Sequence, residues 1–501
     1  VALALALFVR SAAAMGRAVA VSADSDALYL AGLYRDLFVD RVSLKTWTLQ
    51  PAPSFFPDLP LFALLRAVTG HPSAALYAYA VTELSLGVLF VVAIARLLEV
   101  PGAWQTWTAA LVSMSALAYF NSFGDFFHIL FAPSCHASCA WVSLGCALLV
   151  ARQVKADRLA PVAALAVLLL TALTAGSDRL HALYAAGLLV AFAFTAAVVR
   201  RGRGVLAANA AAVVAGVVLG GRLEGVPVWL GMTVSSFDPV AEFSWARLLH
   251  VLGFLPPPEN GPDVVVLDTG LLALALVLAF GASAVAAARP RPDRRATSGA
   301  LALLASSFVA SVACVFFGAA FSGAYTDPWR FRYLQGLLVW PYVVLPLAWL
   351  LWRRWGARLT LALAFAALVH ATGRPAPSEK MKALLEGPTF YPAHTACVDD
   401  LARRHGARFA YGDYWSARRT TELSRAGLRV LSLTWGLGVY DWIVNRGWYE
   451  KARGASAFLV LMNRLDPGSA RARLGSPALV ERCPGEDVWV YRGAPRSPIV
   501  P

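Results

Sequence analysis

The chain has 501 residues, 58% of them hydrophobic and 15% charged, against an apolar content of roughly 45–50% in soluble domains. A mean hydropathy of +0.59 and recurrent apolar runs of about 17–22 residues, long enough to cross roughly 30 Å of hydrocarbon as helices, exclude an ordinary soluble protein. The runs do not alternate apolar with polar residues, which excludes a membrane barrel, and the net charge of +14 gathers in short connectors, pointing to membrane lipid and not to nucleic acid.

The chain opens on Val, and residues 1–21 are apolar apart from Arg10 and Arg17. We read this stretch as an uncleaved first helix, although Ala18-Val19-Ala20 resembles a signal-peptide cleavage site. Further spans are expected at 73–98, 104–121, 138–151, 159–175, 180–199, 205–220, 267–288, 300–321, 335–351 and 359–372, giving about eleven in all. Four connectors are basic: Arg152, Lys155 and Arg158; Arg200, Arg201 and Arg203; Arg289, Arg291, Arg294 and Arg295; Arg353, Arg354 and Arg358. That side is expected to be cytoplasmic, as in a multi-pass protein of the cell (inner) membrane. The odd span count puts residues 373–501 outside. Gly216 and Gly220 form a G-x-x-x-G, a helix-packing pattern. Glu83 lies inside the second span, where an ionised group costs about 2.5–3.5 kcal/mol. Its expected partner is Arg10 or Arg17, with proton coupling as the alternative.

The first outer loop, 23–72, carries Asp24, Asp26, Asp36, Asp40 and Asp58. Leu30, Leu33, Tyr34 and Leu37 share one face of a helix, expected to lie in the membrane interface. Asp24 and Asp26 stand at its N-terminus, as caps or as a general base for an acceptor hydroxyl. Later connectors on the same side bring Asp125, His128 and His136, then Asp178, Arg179 and His181, then Asp327, Trp329, Arg330 and Arg332. Arg and His beside a membrane suit a lipid phosphate; Arg179 and Arg330 can equally snorkel to the headgroups, and Asp178 can cap a helix. Asp125, His128, Asp178 and His181 could supply metal ligands, but no segment has a dedicated ligand spacing, so no cofactor is expected.

Residues 373–501 are expected to form an α/β domain, with strands at 408–411, 428–433, 457–462 and 488–491 and helices at 398–405 and 416–426. It lacks a nucleotide-binding glycine motif. Cys397 and Cys483 lie at its two ends and suit a disulfide in an oxidising compartment. Cys135, Cys139, Cys146 and Cys314 lie in or near spans and suit packing roles.

Three stretches resemble a known family. They are the acidic start of the first loop, Ala23-Asp24-Ser25-Asp26; its continuation from Trp47 to Phe55-Phe56-Pro57-Asp58; and Trp329-Arg330-Phe331-Arg332-Tyr333 before a late span. Together they resemble GT-C glycosyltransferases, the polytopic class that includes protein O-mannosyltransferase-like and aminoarabinose-transferase-like enzymes. Tyr411-Gly412-Asp413-Tyr414-Trp415 is similar to a tail segment of bacterial members. The resemblance implies a GT-C-like membrane domain over 1–372 and transfer of a sugar from a polyprenyl-phosphate donor to a glycan, lipid or protein acceptor. It further implies Asp26 or Asp24 as an inverting base. Arg332, Arg330, His128 and Arg179 would stabilise the departing phosphate, and Asp125, Asp178, His181 and Asp58 would line the substrate pocket. A transporter or flippase of a lipid-linked or small polar substrate is the competing reading, and a scaffold whose outer tail binds a partner is a third. Both are disfavoured: the spans hold few charges, and a scaffold has little use for acids clustered with Arg and His.

Overall fold

The computed structural model describes residues 1–122, 131–199, 201–235, 278–279, 295–321, 336–351 and 390–493. Among these, six helices are long and apolar enough to cross a membrane: Ala2–Ser22, Pro72–Leu97, Ala137–Ala156, Leu180–Val198, Arg203–Trp229 and Thr297–Gly318. The protein is thus mostly helical, in keeping with a multi-pass membrane protein, and carries a sheet region at its C-terminal end.

In chain order the membrane part comprises α1 (Ala2–Ser22), a first loop, α4 (Pro72–Leu97), α5 (Ala103–Ser122), α6 (Ala137–Ala156), α7 (Pro161–Ser177), α8 (Leu180–Val198) and α9 (Arg203–Leu223). A short α10 (Val226–Trp229), α11 (Arg295–Phe321) and α12 (Gly336–Leu351) follow. Helices overlap nine of the expected spans, of which six have the length and apolarity of a membrane crossing; α7 and α12, with 17 and 16 residues, are shorter than those six. The other two, 267–288 apart from residues 278–279 and 359–372, lie outside the described residues. Pro72 and Pro161 stand at the first positions of α4 and α7, where a missing N–H costs nothing. The G-x-x-x-G of α9 packs on α7. A Cβ on Gly216 would lie 2.9 Å from the carbonyl oxygen of Leu168, and one on Gly220 would lie 2.9 Å from that of Ala172, so only glycine permits this backbone approach.

The first loop runs through α2 (Tyr29–Tyr34), a π-turn over Arg35–Val39, a 3-10 turn over Leu44–Thr46, β1 (Trp47–Leu49) and α3 (Asp58–Thr69). Of the face expected to lie in the membrane interface, Leu30 and Leu33 are buried and Tyr34 and Leu37 are partly buried against the protein core, because α3 and a helix of the C-terminal domain pack on α2.

The C-terminal domain contains α13 (Ala393–His405), β3 (Phe409–Asp413), α14 (Tyr414–Leu423), β4 (Arg429–Leu433), β5 (Val444–Asn445), α15 (Gly447–Ala452), β6 (Ala457–Leu461), α16 (Pro467–Leu474), β7 (Leu479–Cys483) and β8 (Glu486–Arg492). Five strands form one sheet in the order β4-β3-β6-β8-β7. β3 is parallel to β4 and β6, and β8 is antiparallel to β6 and β7. Alternate residues of β6 feed two cores. Phe458 and Val460 pack with α15 and α16, while Ala457, Leu459 and Leu461 pack with α13 and α14, so the domain is a three-layer sandwich. Cys397 and Cys483 are disulfide-bonded, their Cα atoms 5.8 Å apart, tying α13 to β7.

A second, three-stranded sheet joins distant parts of the chain. β1 of the first loop pairs in parallel with β2 (Thr233–Val234), which follows α9, and antiparallel with β5 of the C-terminal domain. The loop is therefore held between the bundle and the C-terminal domain.

Candidate functional site

The acids of the first loop have separate environments. Asp24 Oδ1 accepts the backbone N–H of Ala27 at 2.9 Å, the capping geometry that organises the turn before α2. Ser25 is fully buried and turns outward from its own loop, its hydroxyl donating to the backbone carbonyl oxygens of Tyr414 and Trp415. Asp26 is half-buried, and its Oδ1 accepts the phenol hydroxyl of Tyr414. Its carbonyl oxygen accepts the hydroxyl of Ser134 at 3.1 Å. Asp26 thus lies where the first loop, the entry to α6 and the C-terminal domain meet.

Asp36 is the most enclosed loop acid, at 1% exposure. Its two carboxylate oxygens accept Trp47 Nε1 at 3.0 Å, Asn445 Nδ2 at 2.7 Å, Trp448 Nε1 at 3.1 and 3.2 Å and an Arg429 guanidinium nitrogen at 3.0 Å. Arg429 also pairs with Asp40 and stacks 3.9 Å from the centre of the Trp448 ring. A cavity of about 40 Å³ beside it is lined by Gly32, Asp36, Trp47, Arg418 and Glu422 among others. Neither Asp24 nor Asp26 lines it.

Behind Asp26, inside the bundle end, two further carboxylates are buried together. Asp58, at the start of α3, accepts Tyr79 Oη at 2.9 Å and the Ser134 N–H at 3.0 Å. Burial pushes its carboxyl above the ordinary range, hydrogen bonds from Tyr79, Ser138 and the Ser134 N–H opposing this and the nearby Asp178 charge adding to it. Asp178, between α7 and α8, lies 2.6 Å from His136 Nδ1 and accepts Cys139 Sγ at 3.2 Å and the Leu180 N–H at 3.0 Å. Burial would raise it, but His136 and these hydrogen bonds outweigh burial and hold it below the ordinary carboxylate range. The Ser177 hydroxyl accepts the Phe56 N–H at 2.8 Å, fastening the loop to the same end of the bundle.

Three of the residues expected to line a substrate pocket, Asp58, Asp178 and His181, are therefore buried, at 3%, 4% and 0% exposure. Asp58 and Asp178 serve the framework that seats Ser134 and His136. Arg179 is half-exposed and paired with Glu224 at 3.1 Å. Asp125, His128, Arg330 and Arg332 lie outside the described residues. Glu83 is buried at 2% exposure, but it is not ion-paired with Arg10 or Arg17, and its Oε2 has no hydrogen-bond partner. The α1–α4 contact is made instead through Gly16, whose missing Cβ would lie 2.7 Å from the Tyr77 ring. Among the described residues no group of three His, Cys, Asp or Glu side chains is arranged to hold a metal ion.

The sequence reading gave no site role to Tyr414, Ser134, Tyr79, Arg418 or Arg419. Arg419 donates to the carbonyl oxygen of Val21, at the end of α1, at 2.9 Å. Arg418 bonds the carbonyl of Ile443, lies 5.5 Å from the centre of the Trp47 ring and fills the space left by the missing side chain of Gly32. Of these, only Tyr414 had a visible signal, its place in the Tyr411–Trp415 segment. No protein-family model, curated protein or solved structure matches the chain.

Proposed function

We propose that this chain is a GT-C-type glycosyltransferase of the cell membrane, with about eleven spans and its C-terminal domain on the outer face. It transfers a sugar from a polyprenyl-phosphate donor to an acceptor, with Asp26 as the base. The supporting observation is the position of Asp26. Asp24 orders its own turn, Asp36 is enclosed by donors, and Asp58 is buried in the bundle end. Asp26 combines partial exposure with hydrogen bonds to both the entry of α6 and the C-terminal domain.

In this reaction the acceptor hydroxyl attacks the anomeric carbon and passes its proton to the Asp26 carboxylate. The bond from that carbon to the phosphate oxygen breaks, polyprenyl phosphate departs and the configuration inverts. Cations near the leaving phosphate stabilise its growing charge in a low-dielectric site; Arg332, Arg330, His128 and Arg179 are the residues proposed for that task. The outer placement draws support from geometry: the C-terminal domain contacts the end of the bundle where α1 stops and α4 begins, whereas the basic cluster of Arg152, Lys155 and Arg158 flanks the far end of α6.

Asp26→Asn should abolish transfer in membranes while insertion and folding persist, and Asp24→Asn should retain it. Full transfer by both variants would remove the assignment of the base.

A further inference from the structure

Tyr414 belongs to the C-terminal domain, yet its side chain ends on the first loop. It follows β3 directly and opens α14, and it is 4% exposed. Its hydroxyl donates to Asp26 Oδ1 and its carbonyl oxygen accepts the Ser25 hydroxyl. The ring is wedged between Tyr440 and Trp415, with centroids 4.9 and 5.0 Å away. Side chain and backbone are thus both fixed. Burial, and after it the charge of Asp26, pushes the phenol well above its ordinary range, so it stays a donor at physiological pH.

A carboxylate base must offer one oxygen to the acceptor hydroxyl in a fixed direction. On a short turn such as 24–27, a donor holding the other oxygen sets that direction. We propose that Tyr414 is the positioning residue of the Asp26 base, so that the site is assembled only when the C-terminal domain is seated on the first loop. The inference rests on the transferase reading of Asp26. It makes the C-terminal domain part of the reaction centre rather than an appended module.

The test uses the full-length protein in proteoliposomes, with short-chain polyprenyl-phosphate hexoses and pentoses as radiolabelled donors and solubilised host membrane as the acceptor source. Tyr414→Phe keeps the ring and loses only the hydroxyl. Its kcat should fall about tenfold or more while the donor KM stays within about twofold, the pattern of an interaction used in the transition state. In thermal unfolding, Tyr414→Phe and Asp26→Asn should be non-additive, as expected of residues in direct contact. Should Tyr414→Phe fail to fold, Ser25→Ala, which loosens the Tyr414 backbone, should lower kcat in the same way to a smaller extent. An active wild type with unchanged kcat in these variants, or with kcat and KM changing together, overturns the positioning role alone. A wild type inactive toward every donor removes the transferase reading and the positioning role with it.

Discussion

Asp36 and Asp26 belong to one loop and both meet the C-terminal domain, but they do so in opposite ways. Asp36 is enclosed at 1% exposure by two indoles, an amide and a guanidinium. Its charge is compensated from several directions, which is what a buried carboxylate requires to remain in place. Asp26 is half-buried and receives the phenol of Tyr414. The first arrangement suits a joint, because every donor is matched and the geometry has one solution. The second suits chemistry, because a base must stay accessible to its substrate. A docked domain can thus hold an acidic loop by one residue and orient another for reaction.

The largest effect should come from Asp36→Ala. Removing one member of a buried, hydrogen-bonded ion pair costs about 3–5 kcal/mol, and here it also leaves Arg429, Trp448 and Asn445 without their shared acceptor. Limited proteolysis should show the C-terminal domain released from the bundle, and thermal unfolding should show a lowered first transition. Asp26→Asn should cost little stability while abolishing transfer. If the two variants destabilise equally, the contrast between joint and base fails.

That contrast was only half legible in the sequence. The central strands of the C-terminal domain are readable because β6 is an apolar run and β3 and β4 are largely apolar, nearly all of their residues being buried. β7 is not, because Leu479, Val480 and Arg482 are exposed along an edge and leave no apolar pattern. The helices stood out by apolar length alone. The Asp36 joint was hidden because Arg429, Asn445 and Trp448 lie 393, 409 and 412 residues away in the chain; no local periodicity encodes such partners. The expected pairing of Glu83 with an arginine of α1 failed for a related reason. Charge complementarity between two helices does not fix which faces meet, and here a glycine and a tyrosine ring make the close contact.

An intermediate effect is expected on the bundle side of Asp26. Asp178 is held below its ordinary range, so its interaction with His136 contributes stability that is present above the normal carboxylate pKa, near 4. That stability is lost as pH falls through the lower folded value. Acid unfolding of the wild type should therefore include a component that Asp178→Asn lacks. At neutral pH that substitution should cost about 1–3 kcal/mol, the range for upsetting a buried hydrogen-bonded group. Because His136 follows Ser134 by two residues, the variant should also loosen the bond from Ser134 to the Asp26 carbonyl. Hydrogen exchange at residues 24–28 would report this, and unchanged exchange there would separate the Asp178 framework from the Asp26 seam.

The smallest change in stability should follow Arg179→Ala. The pair with Glu224 is half-exposed on the arginine side, with 53% and 29% side-chain exposure, and such pairs contribute about 0–1 kcal/mol. Its informative readout is binding. A guanidinium engaged by Glu224 has to be shared with, or surrendered to, a donor phosphate. If Arg179 serves the donor, Arg179→Ala should raise the donor KM with kcat held, whereas Glu224→Gln, which releases the guanidinium, should lower it. Opposite shifts from the two partners of one ion pair cannot arise from loss of the pair itself, since both substitutions break it. Equal shifts would reduce Arg179 to a surface contact between the α7–α8 turn and the end of α9, leaving the leaving-group charge to other residues.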